Sequence, residues 1–271
     1  MRPHRSLLIV IIVLTITGVQ FGCGTMPNGR RWGKDATYSP GWERIGQAAR
    51  NAALAPETWL PAAGAVACIA ARADHNVSNY AAEHSPVFGS RDNANQASNY
   101  LLNATEIAWI ASGLATPSGT GTEEWGTAKM KGLGVEGGAG AVTLGTVDIL
   151  KLTTHRTRPD SSNTESFPSG HSTGAAYFST LASRHIEALS WSSGATTASQ
   201  IGLGAITAAT AWARIEADQH YPSDVLAGVA LGHFFGAFAA EAFLGLDNPH
   251  HAMFIVEPLR HGTTAMIQFS Y

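Results

Sequence analysis

Apolar residues recur at helical spacing along most of the chain. This pattern predicts helices over Trp42–Ala55, Trp59–Ala73, Leu101–Ala115, Leu133–Thr154, His171–Leu189, Gln200–Ala213 and Pro222–Leu246. The polar, Asn-rich stretch His75–Asn99 is predicted to be a loop or an irregular helix, and His155–Gly170 a polar loop. Ala252–Glu257 and Thr263–Tyr271 are rich in residues that favour strands. The predicted fold class is therefore all-α, a helical bundle with a small C-terminal β-hairpin.

The first 22 residues have the pattern of a secretory signal peptide. A positive start with Arg2 and Arg5 precedes the apolar run Leu7–Val13. The segment ends in Gly22-Cys23, which resembles a bacterial lipobox, in which the cysteine is lipidated and becomes the first residue of the mature protein. We therefore expect residues 1–22 to be a signal peptide and Cys23 to be the lipidation site. An ordinary signal peptide and an uncleaved anchor are the alternatives.

The rest of the chain divides into a short linker and one larger domain. Residues 23–41 are rich in Gly, Pro, Asn and charge and are predicted to be a tether, whereas residues 42–271 are long enough to bury one core. Charged residues such as Glu136, Asp148 and Arg184 interrupt the apolar helices, and Ala and Gly contribute little to membrane insertion. This favours a water-soluble helical body that is held at a membrane by its N-terminus.

Charge and cysteine content exclude some classes of function. The net charge is −3 at pH 7, so the chain has no overall basic field that would attract nucleic acid. Cys23 and Cys68 are its two cysteines, which is too few for a disulfide framework or a cysteine-based metal site.

The candidate chemistry lies between Lys151 and Asp224. Three short segments carry it: Lys151-x6-Arg158-Pro159, Pro168-Ser169-Gly170-His171 and Arg214-x5-His220-x3-Asp224. Their three cations suit the negative charge of a phosphoryl group in its transition state. Each segment alone has an ordinary structural interpretation, as a solvated charge, a capped turn or a capping pair.

The second and third segments add anion-binding and nucleophilic chemistry. Ser169 and Gly170 precede an apolar run, so their backbone N–H groups are expected at a helix N-terminus, which binds anions. His220 stands just before Pro222, a residue that often starts a helix, and Asp224 falls in the first turn. An Asp at this position can bond one ring nitrogen of His220 and leave the other as a nucleophile.

The order and spacing of the three segments resemble the PAP2 (type 2 phosphatidic acid phosphatase) superfamily, which also includes bacterial class A acid phosphatases and vanadium haloperoxidases. The family pattern is Lys-x6-Arg-Pro, Pro-Ser-Gly-His and Ser-Arg-x5-His-x3-Asp. The chain departs from it at Ala213, where the family usually has Ser. The resemblance covers Lys151–Asp224, roughly a quarter of the chain. It implies a helical bundle of the PAP2/haloperoxidase type.

The resemblance also implies a role for each motif residue. His220 would attack phosphorus and form a phosphohistidine, Asp224 would hold the tautomer of His220, and His171 would protonate the leaving oxygen and later activate water. The residues expected to cradle the phosphoryl oxygens are Lys151, Arg158, Ser169, Gly170 and Arg214. No metal ion or other cofactor is implied, although vanadate can bind as a mimic of phosphate.

We therefore expect a metal-independent phosphatase for a phosphomonoester or a diphosphate, on the periplasmic side of a bacterial membrane. An N-terminal lipid anchor favours a lipid-linked substrate, although a soluble phosphomonoester stays open. The nearest alternative is a vanadium-dependent haloperoxidase, because vanadate uses the same ligands. A third is a non-catalytic envelope lipoprotein that keeps the fold.

Other polar residues near the motifs are weaker candidates. His155 and Arg156 lie inside the first motif, where a solvated loop is the favoured interpretation. His75 and His84, in the Asn-rich stretch, are candidates for a lid over the site, because binding residues favour loops.

Overall fold

The structure is a computed structural model that describes residues 22–246 and two strands beyond them. The predicted signal peptide, apart from Gly22, lies outside the described residues. Cys23, the predicted lipidation site, lies at the start of the described part and is exposed.

Between residues 22 and 246 the chain forms eight α-helices. They are α1 (Trp42–Leu54), α2 (Pro56–Ala70), α3 (Ala73–His84), α4 (Arg91–Ala115), α5 (Thr122–Thr154), α6 (Gly170–Glu187), α7 (Ser193–Glu216) and α8 (Pro222–Ala239). Helix α8 continues into one π-helical turn, Ala240–Leu244. Strands β1 (Ala252–Leu259) and β2 (Gly262–Phe269) pair antiparallel. The predicted all-α class with a C-terminal hairpin is confirmed.

The Asn-rich stretch differs most from its prediction. His75–Asn99 is mainly helical, because it contains most of α3 and the first two turns of α4. Ser90 caps α4 by accepting a hydrogen bond from the backbone N–H of Asn93 at 3.1 Å. Asn and Ser residues usually favour caps and turns, but here several of them are held by partners on other helices, as described below. The sequence pattern therefore missed the polar face of a packed helix.

Helix α6 lies at the centre of the bundle, and a row of glycines lets α8 approach it closely. Gly228, Gly232 and Gly236 are spaced by four residues and face α6. A Cβ atom on Gly232 would lie 2.1 Å from the carbonyl oxygen of Thr173. Because only glycine fits at this distance, the row fixes the position of α8 against α6. The two motifs that begin these helices are thereby held together.

The predicted tether is part of the packed body. Met26, Trp32 and Ala36 are buried in the main hydrophobic core, and the side chain of Trp32 is completely inaccessible to solvent. Gly24 pairs with Gly119 through two backbone hydrogen bonds. The abundance of Gly, Pro and charge in residues 23–41 predicted a tether, although these few apolar residues pack into the core. The segment is irregular in backbone, but it is not an extended linker.

Several helices have apolar outer faces. The exposed side chains of α5 include Met130, Val142, Leu144, Ile149 and Leu152. Within the described residues, two helical stretches are long and apolar enough to cross a membrane, Glu123–Thr154 and Pro222–Leu244. The pair formed by α1 and α2 passes the same test as a unit, with a bend of 54°.

These apolar faces oppose the expectation of a water-soluble body. Glu136, one of the charges that interrupts α5 in the sequence, faces inward instead. Its carboxylate accepts hydrogen bonds from Nε1 of Trp109 at 2.5 Å and from Nε2 of His185 at 2.8 Å. A charged residue that is satisfied inside the bundle does not prevent the opposite face of its helix from contacting lipid.

Candidate active site

The three motifs meet at one end of the bundle. Lys151 lies in the last turn of α5, Ser169 caps the start of α6, Arg214 lies in the last turn of α7 and Asp224 in the first turn of α8. The backbone N–H of Ser169 donates to the carbonyl oxygen of Asp224 at 3.0 Å, which joins the second motif to the third. Segments that are far apart along the chain therefore form a single site.

Two arginines at this site have buried N–H groups without an acceptor. The Nε atoms of Arg158 and Arg214 are inaccessible to solvent and have no hydrogen-bond partner within the described part of the chain. Gln219 binds both guanidinium groups through Oε1, and its own amide donates to Asp160 at 2.8 Å. A buried donor that lacks an acceptor is costly, so the pair is prepared for an anion that supplies acceptor oxygens.

Mutual repulsion among the cations also favours the binding of an anion. Burial, followed by the charge of Arg158, lowers the pKa of Arg214 to about 10. The ammonium group of Lys151 lies beside the start of α6, 3.8 Å from the position that a Cβ atom on Gly170 would occupy. An anion placed among these charges and the first N–H groups of α6 would relieve the repulsion.

His220 is buried next to this cluster, with 2% of its surface exposed. Burial is the main cause that lowers its pKa well below the ordinary value, and Arg214 and Arg158 add to the effect. Its ring nitrogen Nδ1 lies 2.7 Å from the carbonyl oxygen of Ser166. Because a carbonyl oxygen can only accept, the proton of the neutral ring lies on Nδ1, and Nε2 carries the lone pair of a nucleophile.

Asp224 does not make the hydrogen bond to His220 that its position in the sequence suggests. Its Oδ2 accepts from the hydroxyl of Ser166 at 2.6 Å and from the backbone N–H of Tyr221 at 2.9 Å. Its Oδ1 accepts from Nη1 of Arg156 at 2.5 Å. Asp224 therefore reaches His220 through Ser166, whose carbonyl oxygen binds the ring.

Arg156 is a member of this network and not a solvated loop residue. Its Nη2 pairs with Asp74 at 2.7 Å, while its Nη1 contacts Asp224 and the hydroxyl of Ser223. The guanidinium carbon also lies 4.4 Å from the ring centre of Tyr221. One arginine thus compensates two buried carboxylates, which explains why it is drawn out of solvent.

His171 lies in the first turn of α6. Burial, then the charges of Arg214, Lys151 and Arg158, lowers its pKa to about 4. Nε2 of His171 lies 2.8 Å from Oδ1 of Asn99. The site therefore contains two imidazoles that are neutral at pH 7 in the absence of a ligand.

The weaker candidates lie at the edge of this site or away from it. His75 packs edge-on against Tyr221, at 4.9 Å between ring centres. His84 stacks on Tyr80 and is exposed, while His155 is exposed in a left-handed conformation that ends α5. His75 and His84 both lie on α3, so neither belongs to the predicted loop.

The comparison with protein-family models agrees with this arrangement. A family model described as the PAP2 superfamily matches residues 137–245, which include all three motifs. Over these residues the chain is similar to the PAP2 superfamily.

Among solved structures, the chain is similar to a transmembrane PAP2-type phosphatidylglycerolphosphate phosphatase from Bacillus subtilis. The two share 22% identity with a TM-score of 0.49, over 68% of this chain and 92% of the other. A search among curated proteins finds no similar chain.

Several residues of this site were missed by the sequence interpretation. They are Asn95, Ser98, Asn99, Arg156, Ser166 and Gln219. A signal was present for the first three, because the spacing i, i+3 and i+4 places them on one face of a helix. The contacts of Ser166 and Gln219 depend on how the loops fold against α8 and could not be read from spacing.

The part of the chain that the structure describes holds no group of three or more His, Cys, Asp or Glu side chains arranged to bind a metal ion. The residues at the site are instead cations with buried N–H groups. Their chemistry suits a phosphoryl group directly.

Proposed function

We propose that this protein is a phosphatase that hydrolyses a phosphomonoester or a diphosphate through a phosphohistidine at His220. The observation that carries the proposal is the pair of buried, unpartnered guanidinium Nε–H groups of Arg158 and Arg214 beside two neutral imidazoles. Phosphoryl transfer needs positioning and electrostatic stabilisation more than covalent chemistry from the protein. Both requirements are met by residues of this site.

In the first step, Nε2 of His220 attacks phosphorus and the bond from phosphorus to the leaving oxygen breaks. His171 donates a proton to that oxygen, because the negative charge of the bound phosphate favours the protonated ring. In the second step, His171 removes a proton from water, the water oxygen attacks phosphorus, and the P–N bond to His220 breaks. The arginines and Lys151 stabilise the charge on the non-bridging oxygens in both transition states.

We propose that the substrate is a phosphate group carried on a lipid. Ile149 and Leu152 are exposed on α5 close to Lys151 in the sequence. Exposed Ile69, in the last turn of α2, lines one surface pocket together with Arg156 and Phe167. The apolar exterior therefore extends to the level of the catalytic residues. A phosphate carried at a membrane surface would reach the cations while its apolar part stayed in lipid.

We place the protein in the bacterial cell envelope, with its site on the periplasmic side. Cys23 is exposed and remains the expected lipidation site. The apolar outer faces of α5 and α2 support a second, more extensive attachment, in which the helical body itself enters the membrane.

The deciding experiment uses p-nitrophenyl phosphate, whose leaving group does not need a proton. With His171→Ala, we expect one equivalent of p-nitrophenol in a rapid burst and a phosphorylated protein, because water attack is slowed. The same label should be absent from His220→Ala, at unchanged thermal stability. Labelling or turnover in folded His220→Ala would overturn the mechanism.

Two controls separate the alternative interpretations. Activity should survive excess EDTA, since no step uses a metal ion. Vanadate should inhibit hydrolysis as a phosphate mimic, and oxidation of bromide by the vanadate-loaded protein with peroxide would favour the haloperoxidase alternative instead.

A further inference from the structure

The N-terminal half of α4 presents one polar face to the catalytic residues. Asn95, Ser98 and Asn99 lie on this face, and α4 packs against both α6 and α7. Nη1 of Arg214 donates to Oδ1 of Asn95 at 2.5 Å and to the hydroxyl of Ser98 at 3.1 Å. The face therefore fixes one of the phosphate-binding cations.

Asn99 makes the remaining contact of this face, to the histidine assigned to proton transfer. Its Oδ1 lies 2.8 Å from Nε2 of His171. An amide oxygen accepts only, so the contact requires the proton of His171 to be on Nε2. Asn99 is itself exposed, which places this hydrogen bond at the open side of the site.

We propose that Asn99 is a positioning residue that holds the Nε2–H of His171 in place. When the substrate phosphate binds, Nδ1 takes up a second proton, and the resulting imidazolium gives its Nε2 proton to the leaving oxygen. The ring is then neutral, with its remaining proton on Nδ1. The inference rests on the proposed function, because it concerns the donor in phosphoryl transfer. Without the amide, the neutral ring would be free to move its proton to Nδ1 and to rotate away from the site.

The electrostatic setting explains why a neutral partner is useful. The charged groups that face His171 are Arg214, Lys151 and Arg158, all positive. A carboxylate in place of the amide would hold the proton by charge and oppose its release, and it would also repel the phosphate. An amide orients the ring without opposing proton release and without repelling the phosphate.

The first test is an NMR titration of the His171 ring nitrogens in the full-length, ligand-free protein. With Asn99→Asp, we expect the pKa of His171 to rise by at least about 1, since a carboxylate would then contact the ring. Asn103→Asp is the matched control, because it adds the same charge to an exposed position one turn further along α4 and should give a much smaller change. With Asn99→Ala, the neutral ring should lose its preference for the Nε2–H tautomer.

The second test compares leaving groups in a single turnover. Asn99→Ala should slow transfer from an alkyl phosphate by about 10-fold or more, because general-acid catalysis contributes at least that much. Transfer from p-nitrophenyl phosphate should change little. Equal slowing of the two substrates would overturn the assignment, as would a His171 tautomer or pKa that is the same in Asn99→Ala, Asn99→Asp and the parent.

The two proposals fail in different ways. If the protein proves not to be a phosphatase, the titration still reports whether Asn99 controls the His171 proton. If hydrolysis proceeds through His220 while the titrations of Asn99→Asp and Asn103→Asp coincide, the inference on Asn99 alone is wrong.

Discussion

Ser166 binds His220 through its carbonyl oxygen, which lies 2.7 Å from Nδ1 of the ring. The hydroxyl of the same residue donates to Asp224 at 2.6 Å. The tautomer of the proposed nucleophile is thus set by the backbone, and the carboxylate acts on it through one intervening residue. In a triad whose carboxylate bonds the ring directly, loss of the carboxylate alone removes the group that sets the tautomer. Here the carbonyl oxygen of Ser166 still sets it.

Arg156 connects this arrangement to α3, because it pairs with both Asp74 and Asp224. Arg156→Met should lower the free energy of unfolding by about 3 kcal/mol, since it leaves buried carboxylates without a counter-charge. We also expect a lower kcat, because Asp224 loses its donor at Oδ1. Chemical denaturation and steady-state kinetics would measure the two effects.

Two further variants isolate the cause. Arg72→Met removes an exposed guanidinium nearby and should change stability little. Asp74→Asn combined with Arg156→Met removes one of the two stranded carboxylates and should recover part of the stability. A double variant no more stable than Arg156→Met would argue against charge compensation by Arg156.

Phosphate binding should be accompanied by proton uptake. Burial and the surrounding cations hold the pKa of His171 at about 4 in the free protein, so the ring is neutral at pH 7. A bound anion offsets those cations and raises the pKa of His171, so the complex binds more protons than the free protein. Affinity for inorganic phosphate should therefore increase as the pH falls toward 5.

Calorimetric titrations in buffers of different ionisation enthalpy would measure the uptake. Inorganic phosphate itself titrates near neutral pH, so the comparison is with His171→Gln, which retains that contribution and loses the part due to the ring. Identical proton uptake by the parent and by His171→Gln would contradict the prediction.

The glycine row on α8 should be needed for both stability and catalysis. Gly232→Ala places a Cβ atom 2.1 Å from the carbonyl oxygen of Thr173, which α6 can relieve only by moving away. We expect a loss of about 2 kcal/mol in the free energy of unfolding, typical of overpacking. Catalysis should fall as well, because the displacement separates His171 from His220.

Gly202→Ala is the matched control. A Cβ atom on this α7 glycine meets no other atom within 4 Å. Because Ala favours helix over Gly, this variant should be more stable by about 0.5–1 kcal/mol with unchanged kcat. Similar losses in the two variants would show that the spacing between α6 and α8 does not depend on Gly232.

The sequence identified more of the candidate side chains than of the contacts between them. It indicated Lys151, His171, Arg214 and His220 as candidates because their spacing is local and their chemistry is specific. The contact between Asn99 and His171 joins residues 72 positions apart and depends on the packing of α4. Such contacts have no local pattern, so they required the structure.

The same limit applies to the fold. Helices with a clear apolar period were predicted well, whereas the polar α3 and the start of α4 were not. In α4 the reason is that contacts with Arg214 hold Asn95 and Ser98. The interpretation of Glu136 erred in the other direction. In the sequence its charge argues against insertion of the helix into a membrane. In the structure the carboxylate lies inside the bundle, bound to Trp109 and His185.

The last prediction concerns how the protein is held at the membrane. If the lipid anchor at Cys23 alone holds it, a variant with a secretion signal for non-lipidated proteins in place of residues 1–22, and with Cys23→Ser, should be released as a soluble protein. If the apolar faces of α5 and α2 contact lipid, the same variant should stay with the membrane after an alkaline carbonate wash and require detergent for extraction. We expect the second result, because Val66, Val142 and Leu152 each expose more than half of their surface. Recovery of an active, monomeric protein without detergent would show instead that the lipid anchor is the sole attachment.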